Sequence, residues 1–154
     1  MNPAESHPAT RIADAPVLHE WSMDCPMTYR SVALSRTHAR RRLVMWRWPG
    51  DAEDAVVMVS ELVTNAISHG RVVGYHLRLR LAALEDGTLL IDVSDPFAEF
   101  PNFGAVPGPR LEQECGRGLL VIRCLGGRVS WFLRQDAGKT VRARVAPAYN
   151  GVTR

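Results

Sequence analysis

Hydrophobic and polar positions change their period several times along this chain, and each change marks an element. Tyr29 to Trp46 runs without an internal Gly or Pro and sets Val32, Leu43, Val44 and Trp46 as apolar positions. That pattern predicts a helix, ended by Trp48-Pro49-Gly50, because proline disfavours helical geometry before it and glycine frees the backbone. Asp51 is a candidate N-cap for a second helix, Ala52 to His69, with Gly70 as its stop. At about 100° per residue, Val56, Val59, Leu62, Val63, Ala66 and Ile67 gather on one side of it. Glu61, Asn65 and His69, spaced i, i+4, i+8, line up on the opposite side with Ser68 and Asp54.

The period then becomes two. Tyr75, Leu77, Leu79 and Leu81 alternate with His76, Arg78 and Arg80, which predicts a half-buried strand. Asp86-Gly87 is a hairpin signal, and Leu89, Ile91 and Val93 form the return strand. A short strand is expected over Val17–Met23 and a third helix from Gly118 to Leu125. Two more strands carry Val129, Trp131, Leu133 and then Val141, Ala143, Val145, the latter alternating with Arg142 and Arg144, around a turn at Gln135 to Gly138. The sum is an α+β fold, a two-layer sandwich with a mostly antiparallel sheet and helices on one face. A single domain is expected over residues 16–147, with a flexible N-terminal tail at 1–15 and a C-terminal tail at 148–154. Residues 96–115 form a Pro/Gly-rich loop too long for a plain connector, hence a candidate ligand lid.

Composition narrows the classes. With 154 residues, 46% hydrophobic and 23% charged, the chain has room for one packed domain and is not built for disorder. No apolar run approaches the roughly 18 residues of a membrane span, and the first 17 residues have no apolar core. A cytoplasmic protein with no membrane partner is therefore expected. Cys25, Cys115 and Cys124 fit neither a disulfide framework nor a zinc site and read as reduced thiols. The net charge of +3 raises nucleic acid as a partner through Arg36, Arg40, Arg41 and Arg42. So modest a charge favours a solvated helix face, or a contact surface for an acidic partner, over nucleic acid. Of 19 basic residues only Lys139 is a lysine.

Three stretches have residues suited to chemistry. On the second helix, the solvated face of an amphipathic helix already accounts for Glu61 and Asn65. A carboxylate and an amide one turn apart also suit positioning a water or holding Mg²⁺, which takes a few oxygen ligands alongside substrate phosphates. Asp92-Val93-Ser94-Asp95 ends a strand, where Asp95 either caps the loop or accepts a hydrogen bond from a ligand amine. Cys115-Gly116-Arg117-Gly118-Leu119 places two glycines at a helix entrance, where backbone N–H groups can approach an anion. Gly138-Lys139-Thr140 is not a P-loop: Leu133 stands where the first glycine is required, and strands flank it.

In combination these motifs resemble the GHKL ATPase superfamily, which unites gyrase, a heat-shock chaperone, histidine kinases and a mismatch-repair protein. Val59-Ser60-Glu61-Leu62-Val63-Thr64-Asn65-Ala66 and Glu114-Cys115-Gly116-Arg117-Gly118-Leu119 look most like its small anti-sigma-factor-type serine/threonine kinases, above all the actinobacterial ATP-binding regulators. The resemblance spans residues 17 to 146 and implies the Bergerat-type ATP-binding fold. It implies that Asn65 ligates the Mg²⁺ bridging the ATP phosphates and that Glu61 is the general base or water-orienting carboxylate. Asp95 would bind the adenine amine, Gly116, Arg117, Gly118 and Leu119 would wrap the phosphates at the helix start, and Thr140 would close the site near the adenine. Such roles suit phosphoryl transfer, which needs positioning and charge neutralisation more than covalent chemistry. Lys139, the lone lysine, falls next to the expected nucleotide site.

The sequence departs from that family where Asp95 is followed by Pro96-Phe97-Ala98-Glu99 instead of Asp-x-Gly-x-Gly. A histidine kinase's phospho-acceptor helices and a topoisomerase's transducer domain are not expected in 154 residues. The function implied is an ATP-binding transcription regulator that binds Mg-ATP, sequesters a sigma factor and phosphorylates a small antagonist protein, with homodimerisation implied as well. The alternative is a non-catalytic ATP-binding module for protein interaction.

Overall fold

A computed structural model of the chain describes residues 14–70, 74–96, 118–135 and 137–147. In chain order the elements are β1 (Val17–Pro26), α1 (Arg30–Met45), α2 (Ala52–Gly70), β2 (His76–Leu84), β3 (Leu89–Asp95), α3 (Gly118–Cys124), β4 (Arg128–Leu133) and β5 (Lys139–Val145). The strands form one five-stranded sheet in the order β1-β2-β3-β5-β4, each pair antiparallel. The expected α+β two-layer sandwich is what forms. Strand β1 runs three residues beyond the expected Met23, because its pairing with β2 continues through Cys25↔Leu77 and Pro26↔His76.

Residues at odd positions from Leu77 to Ala83 and from Leu89 to Asp95 point to the helix-covered face, as do Lys139, Val141, Ala143 and Val145. They meet the apolar stripe of α2, where Val56, Val59, Leu62, Val63, Ala66 and Ile67 are all buried as the periodicity predicts. Asp51 does cap this helix, its Oδ1 accepting from the Asp54 N–H at 3.0 Å.

Helix α1 buries Ser31, Val32, Ser35, Ala39 and Leu43, a four-residue ladder of mostly small side chains that lets it lie close against α2. Val44, expected among the apolar positions, is instead 65% exposed, because it lies about 100° around the helix from Leu43. Arg47 ends the helix in the left-handed region at φ 51°, and the Trp48 N–H donates back to the Leu43 carbonyl at 3.1 Å. Trp48 Nε1 then donates to the Gly87 carbonyl at 2.8 Å, tying the α1–α2 connection to the β2–β3 hairpin. On β1, Trp21 stacks on His38 and carries the Arg42 guanidinium 5.3 Å from its ring centre, while His19 stacks on Trp46.

The opposite sheet face carries charge. Asp92 is almost fully buried between Arg80 at 3.1 Å and Arg142 at 2.7 Å. Arg80 also reaches Glu20, Arg78 pairs with Asp24, and Arg144 pairs with Asp14. Ala15 packs on Ala82, Leu84 and Leu90 of this face. The arginines read as a polar strand phase therefore form an ion-pair lattice across four strands rather than a bare basic surface. Three of the α1 arginines are engaged too: Arg40 pairs with Glu53 at 2.9 Å, Arg36 donates to Ser60 Oγ, and Arg42 covers Trp21.

Candidate functional site

The helix that buries its apolar stripe on the sheet presents its polar face toward the start of α3. Glu61 and Asn65 are half-buried there, one turn apart, instead of standing in open solvent. The Glu61 carboxylate reaches the first residue of α3: a Cβ on Gly118 would sit 2.8 Å from Glu61 Oε2. Gly118 therefore has no side chain where the carboxylate needs space. The next residue, Leu119, is 1% exposed and anchors α3 in the core. Cys115, Gly116 and Arg117, together with the candidate lid from residue 97, lie outside the described residues.

Asp95 is the last residue of β3 and shares the inward phase of Leu89, Ile91 and Val93. Its carboxylate is fully buried and lies against Lys139 Nζ, which donates to Oδ1 at 3.0 Å and to Oδ2 at 2.9 Å. Lys139 faces Asp95 across the β3–β5 ladder, and Gly138 before it crosses the Asp95 backbone so closely that a Cβ would collide with the Asp95 carbonyl oxygen. Gly138 also has φ 82°, which L side chains rarely adopt.

Thr140, expected to close the site near the base, does not reach the carboxylate. Strand alternation puts its hydroxyl on the face away from the helices, 2.7 Å from Ser94 Oγ. The position facing Asp95 belongs to Lys139. Counting back by twos from Val145 and Val141 identifies this lysine from sequence alone, whereas a motif comparison points one residue further on.

For Mg²⁺ the donor chemistry fits. Asn65 and Glu61 supply oxygens one turn apart, and an ion that keeps waters and phosphate oxygens as most of its ligands needs few from the protein. Among the described residues no group of three or more His, Cys, Asp or Glu is placed to hold a metal. A cavity of about 510 Å³ opens elsewhere, between the end of β1 and the start of α1, lined by Pro26, Arg30, Ala33, Leu34 and Thr37. None of the residues above lines it, so it is no part of this site. Among the described residues no helix is long and apolar enough to cross a membrane.

A family model described as the histidine kinase-like ATPase domain matches residues 25–145, from the end of β1 through β5. The chain belongs to this family. Within this ATPase domain the matched span holds Glu61, Asn65, Asp95 and Gly118 together. Among solved structures, the crystal structure of the SiaB-SiaC complex from Pseudomonas aeruginosa holds a similar chain, with a TM-score of 0.61 and 16% identity over 92% of this chain and 94% of that one. The histidine kinase domain of a blue-light activated histidine kinase from Erythrobacter litoralis EL346 aligns at 19% identity, with a TM-score of 0.44, over 62% of this chain and 44% of that one. No curated protein matches the chain.

Proposed function

We propose that this histidine kinase-like ATPase domain is an ATP-binding regulator of the anti-sigma-factor kinase type, binding Mg-ATP and phosphorylating a Ser or Thr of an antagonist protein while sequestering a sigma factor. The observation that carries the reading is the Glu61 carboxylate set against side-chain-free Gly118, with Asn65 one turn away on the same helix face. Bound Mg²⁺ would neutralise charge on the phosphates, and Asn65 would hold it. Glu61, beside the first residue of α3, would take the proton from the attacking hydroxyl. Gly116, Arg117 and Gly118 are assigned to the phosphates, and Asp95 to the exocyclic amine of the adenine.

Membership of an ATPase family supports nucleotide binding. The similar chain in a two-protein complex supports a role exercised on protein partners. Incubation with γ-labelled ATP and candidate antagonist proteins tests the proposal. Label on the antagonist with wild type, lost in Glu61→Ala, is the expected result. Binding of ATP without transfer, unchanged by Glu61→Ala, would replace the kinase with a non-catalytic ATP-binding module.

A further inference from the structure

The carboxylate assigned to the base is already taken. Lys139 is the only lysine among the 19 basic residues of the chain, and it stands opposite Asp95 on the helix-covered face of the sheet. Its side chain is 3% exposed and that of Asp95 0%. One ammonium straddles both carboxylate oxygens, at 3.0 and 2.9 Å. A carboxylate has about four lone-pair positions. An ammonium on both oxygens takes about two of these and offsets the charge that makes the carboxylate a strong acceptor for an incoming amine. Burial sharpens the competition, because the attraction between the two charges is little screened there.

A purely structural pair would explain the contact but not its place. Buried ion pairs give little net stability over apolar side chains of similar size, and the neighbouring positions on these two strands, Val93 and Val141, are apolar. The charged pair stands at the strand ends, where Asp95 leads out of the sheet and Gly138 leads in. We propose that Lys139 is a built-in competitor for the base-recognition carboxylate. In the free protein it occupies Asp95, and an adenine nucleotide binds by drawing the carboxylate oxygens away from it. This inference rests on the nucleotide-binding reading above and names the residue that sets the affinity within that site. Lys139 is here a positioning residue acting through Asp95, with no part in the transfer step.

The test is Mg-ATP affinity, by calorimetry, for wild type, Lys139→Thr, Lys139→Met and Asp95→Asn. The expected result is a gain of about tenfold or more in ATP affinity for either lysine variant, the size of one regained charge-assisted hydrogen bond, together with a lower melting temperature of the nucleotide-free protein. Asp95→Asn should lose affinity. A lysine with a merely structural role would weaken binding on removal, so affinity equal to or below wild type in the lysine variants overturns the inference while leaving ATP binding intact. ATP binding by none of the proteins overturns the nucleotide reading and this inference together. If both lysine variants fail to fold, wild type labelled with [ζ-¹⁵N]lysine gives a single side-chain signal. That signal should shift and exchange faster at saturating Mg-ATP, and an unchanged signal overturns the competition.

Discussion

The backbone of Gly138 crosses the carbonyl of Asp95 at a distance that leaves no space for a side chain. This crossing delivers Lys139 to the carboxylate, because the strand that starts at Lys139 is placed by the residue before it. Gly138→Ala therefore meets two obstacles at once, a left-handed backbone at φ 82° and a collision with main chain that cannot rotate away. The expected cost is about 2 kcal/mol or more, read as a fall in melting temperature. A variant as stable as wild type would refute this reading of the crossing.

Gly118 and Glu61 pose the same steric question with a different outcome. The atom a Cβ would meet is Glu61 Oε2, the end of a flexible side chain, so Gly118→Ala can be accommodated by moving the carboxylate. Stability should stay within about 0.5 kcal/mol of wild type. If Glu61 is the base, phosphotransfer should nevertheless fall by about tenfold or more, because the reacting geometry is displaced. Paired melting and transfer assays separate the two effects.

Arg47 carries φ 51° at the end of α1, where an L side chain is strained and the flanking carbonyls are satisfied by the Arg47 and Trp48 N–H groups. Glycine fits that conformation without strain. Arg47→Gly should stabilise the domain by about 0.5–1 kcal/mol, measured by denaturant titration. Loss of stability would mean that the arginine side chain makes a contribution larger than the strain it carries.

Arg78 holds the Asp24 carboxyl below its ordinary value of 3.8, mainly through its hydrogen bond. A lowered carboxylate pKa adds stability that is present above the ordinary value and is lost as the pH falls through the lowered one. The pair is more than half exposed on each side, so the contribution at neutral pH is below about 1 kcal/mol and shrinks with salt. Asp24→Asn should lower the melting temperature slightly at pH 7 and not at all near pH 2. An equal effect at both pH values would place the cause elsewhere than in the ion pair.

The inward stripe of α2, the Asp51 cap and the two-residue alternation of the strands followed from sequence, because each depends on neighbours within a turn or a pleat. The same local pattern put Glu61 and Asn65 on one face and Asp95 at a strand end, which is why the family resemblance could be read from motifs. It also held the phase that sends Lys139 inward and Thr140 outward, although motif order pointed to Thr140. What surrounds those residues was decided by tertiary structure. Gly118 meets Glu61 across 57 positions of chain, Lys139 meets Asp95 across 44, and Arg142 meets Asp92 across 50. Contacts at such separations are set by which strands pair and which helix lies over them, and no local period encodes that. Sequence alone therefore determined which way these side chains face, and the packing of sheet against helices decided that the buried Asp95 carboxylate is held by the chain's one lysine.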